Sequence, residues 1–88
     1  MITIKRLFKD YGDCRLSLNK LEKEVTPWSD ENADTFLRIK AKIYTLRINA
    51  KEYKSKNEIN MARAKLIYES SFDMEDEIND LALPPEED

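Results

Sequence analysis

Apolar positions recur along this chain in alternating steps of three and four. In the first segment Ile4, Leu7, Tyr11, Cys14, Leu18, Leu21 and Val25 follow this rhythm, and such a stripe with charged residues on the other faces predicts an amphipathic helix. Gly12 interrupts it at a cost of about 1 kcal/mol relative to Ala, which a helix this periodic tolerates. The stretch "TPWSDEN" then ends the helix, because Pro27 disfavours helical backbone at Thr26 and has no amide to donate. Ser29 or Asp30 is the expected N-cap of the next helix, with Asp30, Glu31 and Asp34 placed favourably against its dipole.

The second stripe keeps its register for much longer. Phe36, Ile39, Ile43, Leu46, Ala50, Tyr53, Asn57, Asn60, Ala64, Ile67, Ser71, Met74, Ile78 and Leu81 again alternate three and four, with no Gly or Pro among them. Two readings follow, both all-α. In one, a helical hairpin has a long, coiled-coil-like second helix from 30 to 82, about 80 Å in length at 1.5 Å per residue. In the other, the helix breaks near residues 54–58, where "YKSKNEIN" gathers polar residues and Ser55 with Glu58 could form a capping box, giving a three-helix bundle. Asn57 and Asn60 fall in the stripe, either as buried amides that fix register or as markers of an exposed turn. The expected organisation is one helical domain over residues 1–82 and an acidic tail over 83–88.

A further row, Leu37, Ala41, Tyr44 and Ile48, lies on a different face from Phe36, Ile39, Ile43 and Leu46. The second helix is therefore apolar over a wide arc, more than the first helix alone covers. That row is the expected oligomer face, and a homodimer is the simplest assembly it predicts. The competing reading makes the same helix the centre of a monomeric bundle.

Composition narrows the class without naming a reaction. The 88 residues are 41% apolar and 38% charged, with one Gly, three Pro and one Cys, which suits a single helical domain. No His is present, so Ser–His and Cys–His nucleophiles and His-containing zinc sites cannot be built, and one thiol cannot make an all-cysteine site. A lone Gly forms neither a phosphate-cradling loop nor a dinucleotide fingerprint. The acids of "DMEDE" lack the glycine and ligand spacing of a calcium loop. No catalytic residue, cofactor or metal site is expected. Cys14, on the apolar stripe, reads as a small buried hydrophobe, and Trp28 as a cap on the core or an exposed anchor for a partner. The lone Cys and the absence of an apolar leader at "MITIKRLFKD" lead to the expectation of a cytoplasmic protein, and no apolar run reaches membrane-spanning length.

Charge changes the picture most. The net charge of −3 conceals segregation: residues 38–65 hold nine bases against two acids, while residues 66–88 hold nine acids and no base. Lys40, Arg47 and Lys54 recur every seven residues and, on a continuous helix, would line one edge as a track for nucleic-acid phosphates. The acidic segment reads as an amphipathic docking helix, with Phe72, Met74, Ile78 and Leu81 as its apolar contacts and Asp73, Asp76 and Asp80 as its charged ones. Richness in Lys, Asn and Ile resembles small reading frames of AT-rich bacterial or phage genomes. The leading expectation is a non-enzymatic helical protein that binds and modulates a host or phage protein complex. The alternative is an accessory nucleic-acid-binding protein whose basic segment is regulated by its acidic tail.

Overall fold

The computed structural model describes residues 2–84. Three helices account for most of them: α1 Ile4–Glu22, α2 Ala33–Glu52 and α3 Glu58–Leu81. No strand occurs among the described residues, and no helix among them is long and apolar enough to cross a membrane. The last four residues of the acidic tail, 85–88, lie outside the described residues.

Each helix starts and stops for a local reason. Thr3 caps α1, its Oγ1 accepting from the Arg6 amide at 3.1 Å, and the helix ends at Glu22, one turn before Pro27. The Pro27 ring is buried and Trp28 half-buried. A single 3-10 turn, Asp30–Asn32, leads into α2 with Ser29 as its N-cap. Asn32 occupies the cap position of α2, but its side chain faces backwards, donating to the Thr26 carbonyl at 3.0 Å and to Ser29 Oγ at 3.3 Å. It fastens the connection and leaves the helix amides uncapped by a side chain.

The break between α2 and α3 decides between the two architectures expected from the sequence. α2 stops at Glu52, Tyr53 adopts extended backbone (φ −59°, ψ 132°), and α3 begins at Glu58. The long continuous helix is therefore replaced by a three-helix bundle. Asn57, rather than Ser55, is the cap: its Oδ1 accepts from the amides of Ile59 and Asn60 at 3.0 and 3.1 Å. Ser55 Oγ instead accepts from the Asn57 amide at 3.0 Å, closing the turn. A short polar side chain that satisfies two amides otherwise left without partners makes the interruption favourable. Asn57 is exposed and Asn60 half-buried, so these amides mark a turn and do not form a buried seam.

The core takes one row from each helix: Leu7, Cys14, Leu18 and Leu21 of α1, Ile39, Ile43, Leu46 and Ala50 of α2 with Tyr53 after it, and Ala64, Ile67, Met74 and Ile78 of α3. Burying a Leu, Ile or Met side chain contributes roughly 1.5–3 kcal/mol. Val25, assigned to the first stripe, is 89% exposed because the chain has left the helix before reaching it. A radius of gyration of 14.7 Å and extents of 53 × 23 × 17 Å describe a rod, since a compact globule of this length would have a radius near 12 Å.

α1 runs parallel to α3, and Arg15 Nη1 meets Glu77 Oε2 at 2.7 Å. Counting back along both helices from that pair sets Ile4 level with Leu66. The first two turns of α3 and the turn after α2 thus project past the start of α1, and the α2–α3 hairpin forms one end of the rod alone.

Candidate functional site

Three surfaces carry the residues singled out from the sequence, and they differ in how far the fold has already used them.

The outer face of α2 is the least used. Ile39, Ile43, Leu46 and Ala50 turn inward, and at about 100° per residue Leu37, Ala41, Tyr44 and Ile48 fall on the opposite side. Leu37 is 61% exposed and Tyr44 59%; Ala41 is exposed and Ile48 half-buried. Phe8 and Leu16 are also exposed on α1, but singly, as is ordinary on protein surfaces. On α2 Leu37, Ala41 and Tyr44 are exposed at helical spacing, with Ala41 at the edge of the cleft toward α1, and on α3 Ile59, Ala62 and Leu66 form a second exposed row.

The acidic half of α3 has been divided. Met74 and Ile78, expected to face a partner, are fully buried in the bundle, so the fold fills the docking role of these two side chains internally. The reason is that a three-four stripe looks the same whether its cover comes from the same chain or from another. Leu81 is half-buried against the core. Phe72 remains 42% exposed, and Asp73, Asp76 and Asp80 are exposed. The remaining acids turn toward bases of neighbouring helices: Glu77 to Arg15, and Glu75 to Arg47 at 3.3 Å. The hydrogen bond that Arg15 donates to Glu77 is the main reason its guanidinium holds its proton more tightly than usual. Among the described residues, no group of three or more acids and cysteine gathers as metal ligands.

The basic residues do not make a continuous track. Arg47 points across to α3, where Nε donates to Ser71 Oγ at 2.9 Å, Nη2 donates to the Ser71 carbonyl at 3.2 Å, and the guanidinium carbon stands 3.9 Å from the centre of the Phe72 ring. Phe72 is in turn held edge-on by Tyr68, with centroids 5.2 Å apart. Lys40 lies over Phe36 at 5.5 Å, and Lys54 falls after the end of α2, in the turn. The expected line of Lys40, Arg47 and Lys54 is thus broken in the middle by an arginine engaged by three residues of α3, and at one end by the loss of helix.

A grouping missed by sequence reading appears at the hairpin end. There α2 and α3 enclose a groove of about 470 Å³ with Ala50 and Ala64 at its base, Tyr53, Met61 and Tyr68 along it, and Lys51, Lys54 and Lys65 at its rim. Small residues at the base make the depression, and its three charged residues are all lysines. None of the three forms an ion pair among the described residues. The sequence signal was the shared spacing of Ala50 and Ala64 around a turn, legible only once the break is placed.

A second cleft, of about 370 Å³, opens between α1 and α2 beside Asp10, Asp13 and Lys42. Cys14 lies at its base, but burial pushes the thiol up to about 11, which removes the thiolate needed for nucleophilic work near neutral pH. No family model, no curated protein and no solved structure matches this chain.

Proposed function

We propose that this chain is a non-enzymatic protein-interaction module that acts as a homodimer, using the outer face of α2 as its contact. The observation that carries this reading is the row Leu37, Ala41, Tyr44 and Ile48, apolar at helical spacing, of which the first three are exposed and Ile48 is half-buried. Such a row loses least free energy when another apolar helix face covers it. A second copy of the chain presents that same face, and a surface that pairs with itself closes a two-fold dimer. The dimer would bind and modulate a larger host or phage protein complex by contact, with the exposed Asp73, Asp76, Asp80 and half-exposed Phe72 as the other surface for a partner. The nucleic-acid alternative is less well supported, because Arg47 is already engaged by α3.

Analytical ultracentrifugation tests the reading. A species of twice the 10.4 kDa chain mass is expected, converting to monomer in Leu37→Asp with helical circular dichroism unchanged. A wild-type protein that sediments as monomer at millimolar concentration would remove the proposal.

A further inference from the structure

Folding converts the charge segregation of the sequence into a polarity along the rod. At the hairpin end Lys51, Lys54, Lys56, Arg63 and Lys65 stand against only Glu52 and Glu58, and α1, which begins nearer that end than the other, adds Lys5 and Lys9, its Arg6 being paired with Asp10. At the far end Glu22 and Glu24, the acids Asp30, Glu31 and Asp34 at the start of α2, and Asp80 near the close of α3 outnumber Lys20, Lys23 and Arg38. In the middle Arg15 and Arg47 are paired with Glu77 and Glu75, and the net charge is positive toward the hairpin end and negative toward the other.

We infer that two copies of this chain pair antiparallel, the lysine-rimmed groove of each lying against the acidic end of the other. The inference rests on the self-association through α2 proposed above and fixes its orientation. A two-fold contact on the outer face of α2 has two forms. In the parallel form like ends meet, and both the basic and the acidic clusters repel. In the antiparallel form, centred between Ala41 and Tyr44, Lys51 comes level with Asp34 of the second copy and Lys54 with its Glu31. Small Ala41 then faces large Tyr44, and Leu37 faces Ile48. Opposite charges across an interface set orientation and suppress the wrong partner even where they add little affinity. The groove gives the rim lysines of each copy an apolar base on which an exposed side chain from the acidic end, such as Leu83, can rest.

A charge exchange tests this. One variant carries Lys51→Glu, Lys54→Glu and Lys65→Glu; the other carries Asp30→Lys, Glu31→Lys and Asp34→Lys. All six positions are exposed, and circular dichroism checks that each variant remains helical. Wild-type dimer is expected to weaken about tenfold or more as sodium chloride rises from 50 to 500 mM, because exposed charges are screened beyond a few ångströms at high salt. Each variant alone is expected to sediment as monomer, and an equimolar mixture of the two as dimer, since a reversed basic end then lies against a reversed acidic end. If both variants dimerise like wild type while Leu37→Asp dissociates, the α2 contact stands and the antiparallel charge pairing is overturned. Variants that are monomeric both alone and mixed overturn it as well. A monomeric wild type removes the pairing together with the dimer it orients.

Discussion

Arg47 and Ser71 bind one another twice, through the serine hydroxyl at 2.9 Å and the serine carbonyl at 3.2 Å. Ser71 is fully buried and also donates to the Tyr68 carbonyl, so one arginine spans α2 and α3 at a buried polar side chain of the core. The same guanidinium bonds Glu75 and lies over the Phe72 ring. Replacing Arg47 by Ala is expected to cost about 2 kcal/mol, the scale of charged hydrogen bonds inside a protein. Arg47→Lys should recover less than half of that, because a single ammonium cannot serve acceptors arranged for a planar fork. Urea unfolding followed by circular dichroism checks both values.

Asn57 should behave as a cap and nothing more. Asn57→Ala is expected to destabilise the bundle by about 1 kcal/mol, and Asn57→Asp to be neutral or mildly stabilising because an anion suits a helix N-terminus. An equal loss in both variants, read from urea midpoints, would mean that the amide nitrogen matters and the cap does not.

Gly12 lies within α1 without positive φ, and a Cβ built on it meets nothing within 4 Å. Gly12→Ala is therefore expected to stabilise the protein by up to about 1 kcal/mol, since the glycine contributes only backbone freedom to the unfolded chain. The measurement is the thermal midpoint, which should rise.

The Cys14 thiol sits at about 11 because burial disfavours the thiolate. At pH 8 its reaction with iodoacetamide is expected to be about 100-fold slower or more in the native protein than in urea, as the thiolate is the reacting species. The stability consequence has a definite sign. The unfolded thiol loses its proton near pH 9 and the folded one near 11, so stability from this group is intact below 9 and falls as pH rises through that window. Comparing urea midpoints of wild type and Cys14→Ala at pH 8 and 10.5 isolates the effect, and the gap should narrow at the higher pH.

Much of the core was legible from spacing alone. Apart from Pro27, every buried apolar side chain among the described residues falls on one of the two three-four stripes, including Cys14, whose burial followed from its place between Tyr11 and Leu18. Periodicity reports which face is covered, but not by what, and this is why Met74 and Ile78 read as docking residues when α2 and α1 cover them. The break at Asn57 was visible as a polar cluster without a decision, because the stripe continues in phase across it. The role of Arg47 was not legible at all: its partner Ser71 is 24 residues away and carries no pattern that marks it as an acceptor. The hairpin groove needed the turn first, since only the turn brings Lys51 and Lys65 to the same opening.

That continuity of phase gives the turn a second consequence. Because Ala50, Tyr53, Asn57, Asn60 and Ala64 stay on one stripe, straightening residues 53–57 into helix would keep the inner faces of α2 and α3 aligned while carrying α3 away from its own chain. Two opened chains could then exchange their third helices and rebuild the same contacts, Arg47 to Ser71 included, between molecules. Hinge loops under such conditions invite domain swapping. The hydrogen bonds of Ser55 and Asn57 hold the closed form, so an exchange of α3 between molecules would first have to release two short polar side chains in a five-residue connection.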